Sequence, residues 1–145
     1  MARRIAFSLL ALLALAPGLG CGTLQAYPGP PRRATEVAVL RPAVMNARKI
    51  LIDEVNGQSL GLLHDRVELL PGIQLVRATL QIESRSGWFE ARHELQFIAE
   101  AGHDYVMYAD FMPQGPGLWI QDEVELRIVA ESVTPTRRLP GVGAP

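Results

Sequence analysis

The stretch Gln74–Phe97, QLVRATLQIESRSGWFEARHELQF, decides the fold. Val76, Ala78, Leu80 and Ile82 alternate with Arg77, Thr79, Gln81 and Glu83. Successive strand side chains point to opposite faces, so this period of two predicts a strand with one buried face. Arg85-Ser86-Gly87 follows as turn chemistry. The alternation then resumes, with Phe89, Ala91, His93, Leu95 and Phe97 on one side and Glu90, Arg92, Glu94 and Gln96 on the other. Two half-buried strands joined by a short Gly-containing turn predict a β-hairpin.

Shorter runs of the same kind flank it. EVAVL from Glu36 and KILIDEV from Lys49 are rich in β-branched residues, and the second ends in the turn pair Asn56-Gly57. VELL from Val67 leads into Pro71-Gly72, which suits the centre of a type II turn. DYVMYADF from Asp104, LWI from Leu118 and EVELRIVAE from Glu123 complete the set. In the last, Val124, Leu126, Ile128 and Ala130 are expected on the apolar face. No window has a helical period. The pattern predicts an all-β fold, a single antiparallel β-sandwich of about 7–8 short strands over residues 36–134.

The chain has 145 residues and a net charge of −1 at pH 7, which leaves no basic excess for nucleic acid. It begins with Arg3-Arg4 and the apolar run IAFSLLALLALA, Ile5–Ala16. That run is shorter than the about 20 residues a membrane helix needs and reads as an export signal over residues 1–20. The single cysteine, Cys21, follows directly and excludes an internal disulfide. Residues 21–35 carry Pro28, Pro30 and Pro31 and are expected to form a tether, and residues 135–145 a flexible tail.

Leu19-Gly20-Cys21 behind the apolar run resembles the lipobox of bacterial lipoproteins. The resemblance implies acylation of Cys21, attachment to a membrane through that lipid and, with Gly22 rather than Asp next, the outer membrane facing the periplasm. Gly18 stands where that pattern usually has Leu, and Gly18-x-Gly20 also suits an ordinary signal peptidase, which leaves a soluble periplasmic protein as the alternative. Ile50-x-Ile52-Asp53, then Val67–Gly72 (VELLPG) and an alternating strand, resemble the PEGA-type β-sandwich of bacterial envelope proteins, with Glu54 departing from its usual Gly. Gly102–Tyr105 (GHDY) and Trp119–Asp122 (WIQD) are similar to small proteobacterial envelope lipoproteins. These families imply a fold and an address, with no catalytic residues and no cofactor.

Chemistry-bearing residues are sparse. His64, His93 and His103 lack the close spacing of a metal site, and a metal-dependent hydrolase built on them is the enzymatic alternative. His93 falls on the apolar face of its strand and is expected in the core, hydrogen-bonded and neutral. Asp53 and Glu54, as strand neighbours, are expected on opposite faces. None of Ser59, Ser84, Ser86 and Ser132 lies in a nucleophile elbow. Aromatic residues remain: Trp88, which opens a strand, and Phe111 and Trp119 at the ends of FMPQGPGLW, expected as a flexible binding loop for a protein partner or, through Trp88 or Trp119, an envelope glycan, with the end of the sandwich core as the other place for either Trp. The expected function is therefore a non-enzymatic binding module.

Overall fold

The structure is a computed structural model that describes residues 23–61, 65–84 and 87–133. It is an all-β sandwich. Its strands are β1 (Thr23–Gln25), β2 (Ala38–Pro42), β3 (Arg48–Val55), β4 (Gln58–Ser59), β5 (Arg66–Leu69), β6 (Gly72–Ser84), β7 (Gly87–Ala99), β8 (Asp104–Met112), β9 (Gly115–Asp122) and β10 (Arg127–Val133). A six-stranded sheet has the order β1-β5-β2-β8-β9-β10, and a four-stranded sheet the order β4-β3-β6-β7.

The hairpin read from Gln74–Phe97 is β6–β7, in unbroken register from Gly72 opposite Ala99 to Ser84 opposite Gly87. Alternation sends Val76, Leu80, Leu95 and Phe97 inward to meet Leu40, Met107, Leu118 and Ile120 of the other sheet in one core. Phe97 and Tyr105 pack across the layers, ring centroids 4.9 Å apart. Gln74, the polar member of the buried row, accepts a hydrogen bond from Asn56 Nδ2 at 2.8 Å and donates to the Leu70 carbonyl at 2.8 Å. Burial of its amide is thereby offset. Asn56 and Gly57 both have positive φ, 50° and 83°, which fits the turn chemistry read there.

Among the described residues two pairings are parallel: β1 with β5, and β2 with β8. The chain leaves β2 for the second sheet and returns twice, placing β5 and later β8 on either side of β2. The stretch expected to be a tether is partly docked. Thr23–Gln25 forms β1, and Ala26 and Tyr27 are buried. The Tyr27 hydroxyl donates to Glu68 at 3.3 Å and accepts the Arg32 N–H at 3.2 Å, so the Pro-rich segment folds back on its own strand.

Two local patterns differ from expectation. In EVELRIVAE only the second half is strand. Asp122 Oδ1 accepts the N–H groups of Val124 at 2.8 Å and Glu125 at 3.1 Å, which curls Glu123–Leu126 into the turn before β10. Val124, Leu126 and Ile128 are exposed, and a register shift between Ile128 and Ala130 resets the faces. Leu126 lies in the left-handed region at φ 55° and is 74% exposed. Leu126→Gly is therefore expected to raise stability by about 0.5–1 kcal/mol in urea denaturation. In a strand the same change would lower it by a similar amount.

The second difference is at Asp53-Glu54. A bulge between Ile52 and Glu54 breaks the alternation and turns both carboxylates to the outer face. Asp53 accepts from Thr79 Oγ1 at 2.7 Å, and Glu54 from Arg77 at 3.1 Å.

Candidate functional site

The outer faces of the two sheets differ in chemistry. On the four-stranded sheet Arg77 bridges Glu54 and Glu94, at 3.1 and 2.9 Å, and Gln81 donates to Glu90 at 2.8 Å. A shallow hollow there is lined by Asp53, Glu54, Ser59, Arg77 and Glu94. Arg77 there is paired with Glu54 and Glu94, and Asp53 is bonded to Thr79. Such ladders set strand register more than they stabilise.

The six-stranded sheet carries an aromatic pair instead. Tyr108 on β8 lies directly opposite Trp119 on β9, and their rings stack at 5.8 Å between centroids and 21° between planes. Both are half-buried. The Tyr108 hydroxyl donates to Glu123 at 3.2 Å. Val106, two residues before Tyr108 on the same face, is 1% exposed. Burial pushes the Tyr108 hydroxyl pKa up, and the Glu123 carboxylate adds to the rise. Around the rings, register places Glu131 beside Trp119, and Arg41 and Gln121 beside Val106.

The residues singled out from the sequence do not form one site. FMPQGPGLW is not a flexible loop: it closes the β8–β9 hairpin, and Gly115, Pro116 and Gly117 are buried inside β9. The Met112 side chain fills the space over Gly117, where an added Cβ would meet its sulfur at 2.8 Å. Phe111 pairs with Pro116 and belongs by alternation to the core-side face, opposite Trp119. At the hairpin tip it extends past the core and is 53% exposed. Trp88 stands opposite Glu83 on β7 of the other sheet. Cys21 and His64 lie outside the described residues. Sequence reasoning passed over Tyr108. Its alternation with Tyr105, Met107 and Ala109 marked an outward side chain, but only the β8–β9 register puts it against Trp119.

The two described histidines have separate environments. His93 is buried between the sheets, as its alternation predicted, with Nδ1 3.3 Å from Ser132 Oγ of β10. Burial lowers its pKa, and a hydrogen bond with the Ser132 backbone partly offsets this, so the neutral imidazole is favoured. The contact joins β7 to β10, the neighbouring edges of the two sheets. His103 pairs through Nδ1 with Asp122, at 2.8 Å, rather than with its sequence neighbour Asp104. The hydrogen bond from His103 to fully buried Asp122 raises the imidazole pKa, against a smaller opposing effect of desolvation. Burial alone would raise the Asp122 carboxyl. Hydrogen bonds from His103, Glu125 and Val124 outweigh it and hold the carboxyl below its usual range. Among the described residues no three His, Cys, Asp or Glu side chains converge as metal ligands.

No protein-family model, curated protein or solved structure matches the chain.

Proposed function

We propose that this protein is a lipid-anchored, non-enzymatic binding module of the bacterial cell envelope, related in architecture to the PEGA-type sandwiches and facing the periplasm from the outer membrane. The observation that carries the reading is the Tyr108–Trp119 pair, two half-buried stacked rings on the paired strands β8 and β9, whose hairpin tip exposes Phe111 on the opposite face. Aromatic side chains held by a strand scaffold lose little entropy on binding and give large contact area. Phe111, exposed at the hairpin end, offers an apolar contact for a protein partner.

The export signal and Cys21 support the address. Cys21 stands two positions before Thr23, where β1 begins at the edge of the six-stranded sheet. Acyl chains on Cys21 would hold that edge close to the bilayer, since only Gly22 separates them. Intact mass of the mature protein extracted from its native host is expected to show an N-terminal Cys21 carrying two or three acyl chains. An unmodified Cys21 would remove the anchor and make the protein a soluble periplasmic one. A photo-reactive residue replacing Phe111 is expected to give one defined protein adduct in intact cells, and absence of any adduct counts against a protein partner.

A further inference from the structure

The geometry points to a strand-docking site at the open edge of β7, over Glu94–Ile98, which takes an extended apolar segment of a partner protein. It is separate from the Tyr108–Trp119 pair and the Phe111 tip, and its choice of occupant rests in part on the lipid anchor of the proposed function. Three observations lead to it. First, the backbone there is turned outward. Among the described residues β7 ends the four-stranded sheet, with β6 as its neighbour. Successive residues of an antiparallel strand send their N–H and C=O groups to alternate sides. The Leu75 N–H donates to Asn56 Oδ1 at 2.8 Å, and the Leu75 carbonyl accepts the Asn56 N–H at 2.8 Å. Leu75 therefore faces the β3 side, and Gln74 and Val76 face β7. Their register partners Phe97 and Leu95 are turned to β6. Glu94, Gln96 and Ile98, the alternate set, aim their backbone groups at the open edge. This segment has no proline and its register has no bulge, two of the devices that keep another strand from an edge.

Second, that edge borders a groove of about 400 Å³ lined by Ile73, Phe97, Ile98 and Val129 and rimmed by Glu100 and Arg127. Ile73 and Ile98 stand opposite one another and are each 66% exposed. Side chains of an added strand alternate. One set meets Glu94, Gln96 and Ile98 on the outer face, and the other turns toward Phe97 and Val129. An antiparallel segment that complements them reads apolar, apolar, polar, apolar, basic from its N-terminal end, with the basic residue opposite Glu94. A second copy paired over the same residues about Gln96 sets each Glu94 carboxylate against an Ile98, so a different chain suits this edge better. Third, the groove is on the edge opposite the anchor. β7 touches β10 through His93 and Ser132, and β10 lies five strand positions from β1, about 24 Å at the usual inter-strand spacing. A bilayer on which the β1 edge rests is thereby kept from the groove.

The probe is the peptide acetyl-Ser-Ile-Val-Thr-Val-Lys-Ser-amide, which carries that pattern, added to the full mature protein. At a peptide concentration about ten times its Kd, amide hydrogen exchange at Gln96 and Ile98 is expected to slow about tenfold. Leu95 and Phe97, already turned to β6, should change little. N-methylation of the peptide's Thr and Lys nitrogens, which face β7, is expected to abolish binding, and N-methylation of its two Val nitrogens to spare it. Ile98→Lys is expected to weaken binding about tenfold, and Ile98→Val to retain most of it. Unchanged exchange at Gln96 and Ile98 with millimolar peptide overturns the proposal, as does equal binding of the two methylated peptides. So does a dimer that Ile98→Lys dissociates, which makes a second copy the occupant. Quenching of a fluorophore on Ile98→Cys by spin-labelled lipid, in vesicles of phosphatidylcholine and phosphatidylglycerol, overturns it in favour of the bilayer. Peptide binding does not require an acylated Cys21. If the peptide fails while the acylated mass and the Phe111 adduct are found, the strand site falls alone. If the peptide binds and Cys21 is unmodified, the anchor falls and the strand site stands.

Discussion

Asp122→Ala is expected to lower folding stability by about 3 kcal/mol at pH 6, seen as a fall in Tm of about 10–15 °C. Asp122 is fully buried, and its carboxylate serves three donors: His103 and the N–H groups of Val124 and Glu125. Alanine leaves the turn into β10 without its acceptor and the imidazole without its partner. Charge-assisted hydrogen bonds of this kind exceed neutral ones. The same pair sets a pH window. The folded-state pKa of His103 is raised above 6.5, so its contribution is complete below that value and is lost as pH rises through the raised one. The Asp122 pKa is lowered from 3.8, so its contribution is present above that value and is lost as pH falls through the lowered one. Stability from this pair is therefore largest between about 4 and 6.5. Asp122→Asn separates the effects. Its Oδ1 still closes the turn, so most of the stability should remain while both pH slopes flatten. Persistence of the slopes in the asparagine variant would assign them to other groups.

Leu118→Ala is expected to cost about 3 kcal/mol, enough to consume a large part of the stability of a domain this size. Leu118 is 0% exposed, on β9 between Ala109 of β8 and Ser132 of β10, and faces the four-stranded sheet. Truncation would leave a void that neighbouring strands, held by their ladders, close only in part. The loss should appear as a lower urea midpoint with an unchanged slope. A cost below about 1 kcal/mol would mean that the two sheets do not meet there.

Much of the strand content was legible because alternation is local. Each residue in β6 and β7 reports its own face, and Gly or Asn-Gly pairs mark the ends. The signal failed where a tertiary partner or a bulge altered the period. Val124 and Leu126 continue an apolar rhythm, yet the buried Asp122 carboxylate captures the backbone and makes that segment a turn. At Asp53-Glu54 the bulge places two consecutive carboxylates on one face, where simple alternation separates them. Pro28, Pro30 and Pro31 correctly excluded a strand there, but Thr23–Gln25 and Tyr27 before them find partners in β5, 41 residues on in the case of Tyr27 and Glu68.

The candidate site shows the same division. Trp119 was visible as an aromatic residue beside glycine and proline, but that company suggested a mobile loop. In the fold, Gly115, Pro116 and Gly117 are buried within β9, with the Met112 side chain over Gly117. By itself the sequence determined the all-β class, the long hairpin and the burial of His93, because side-chain period is a property of neighbouring residues. Only the tertiary structure decided that β2 runs parallel to β8, that His103 pairs with Asp122, that Phe111 and Trp119 take opposite faces, and that Tyr108 stacks on Trp119. Those outcomes depend on which strands pair and in what register, and cross-strand contacts between distant residues leave no mark on the local period.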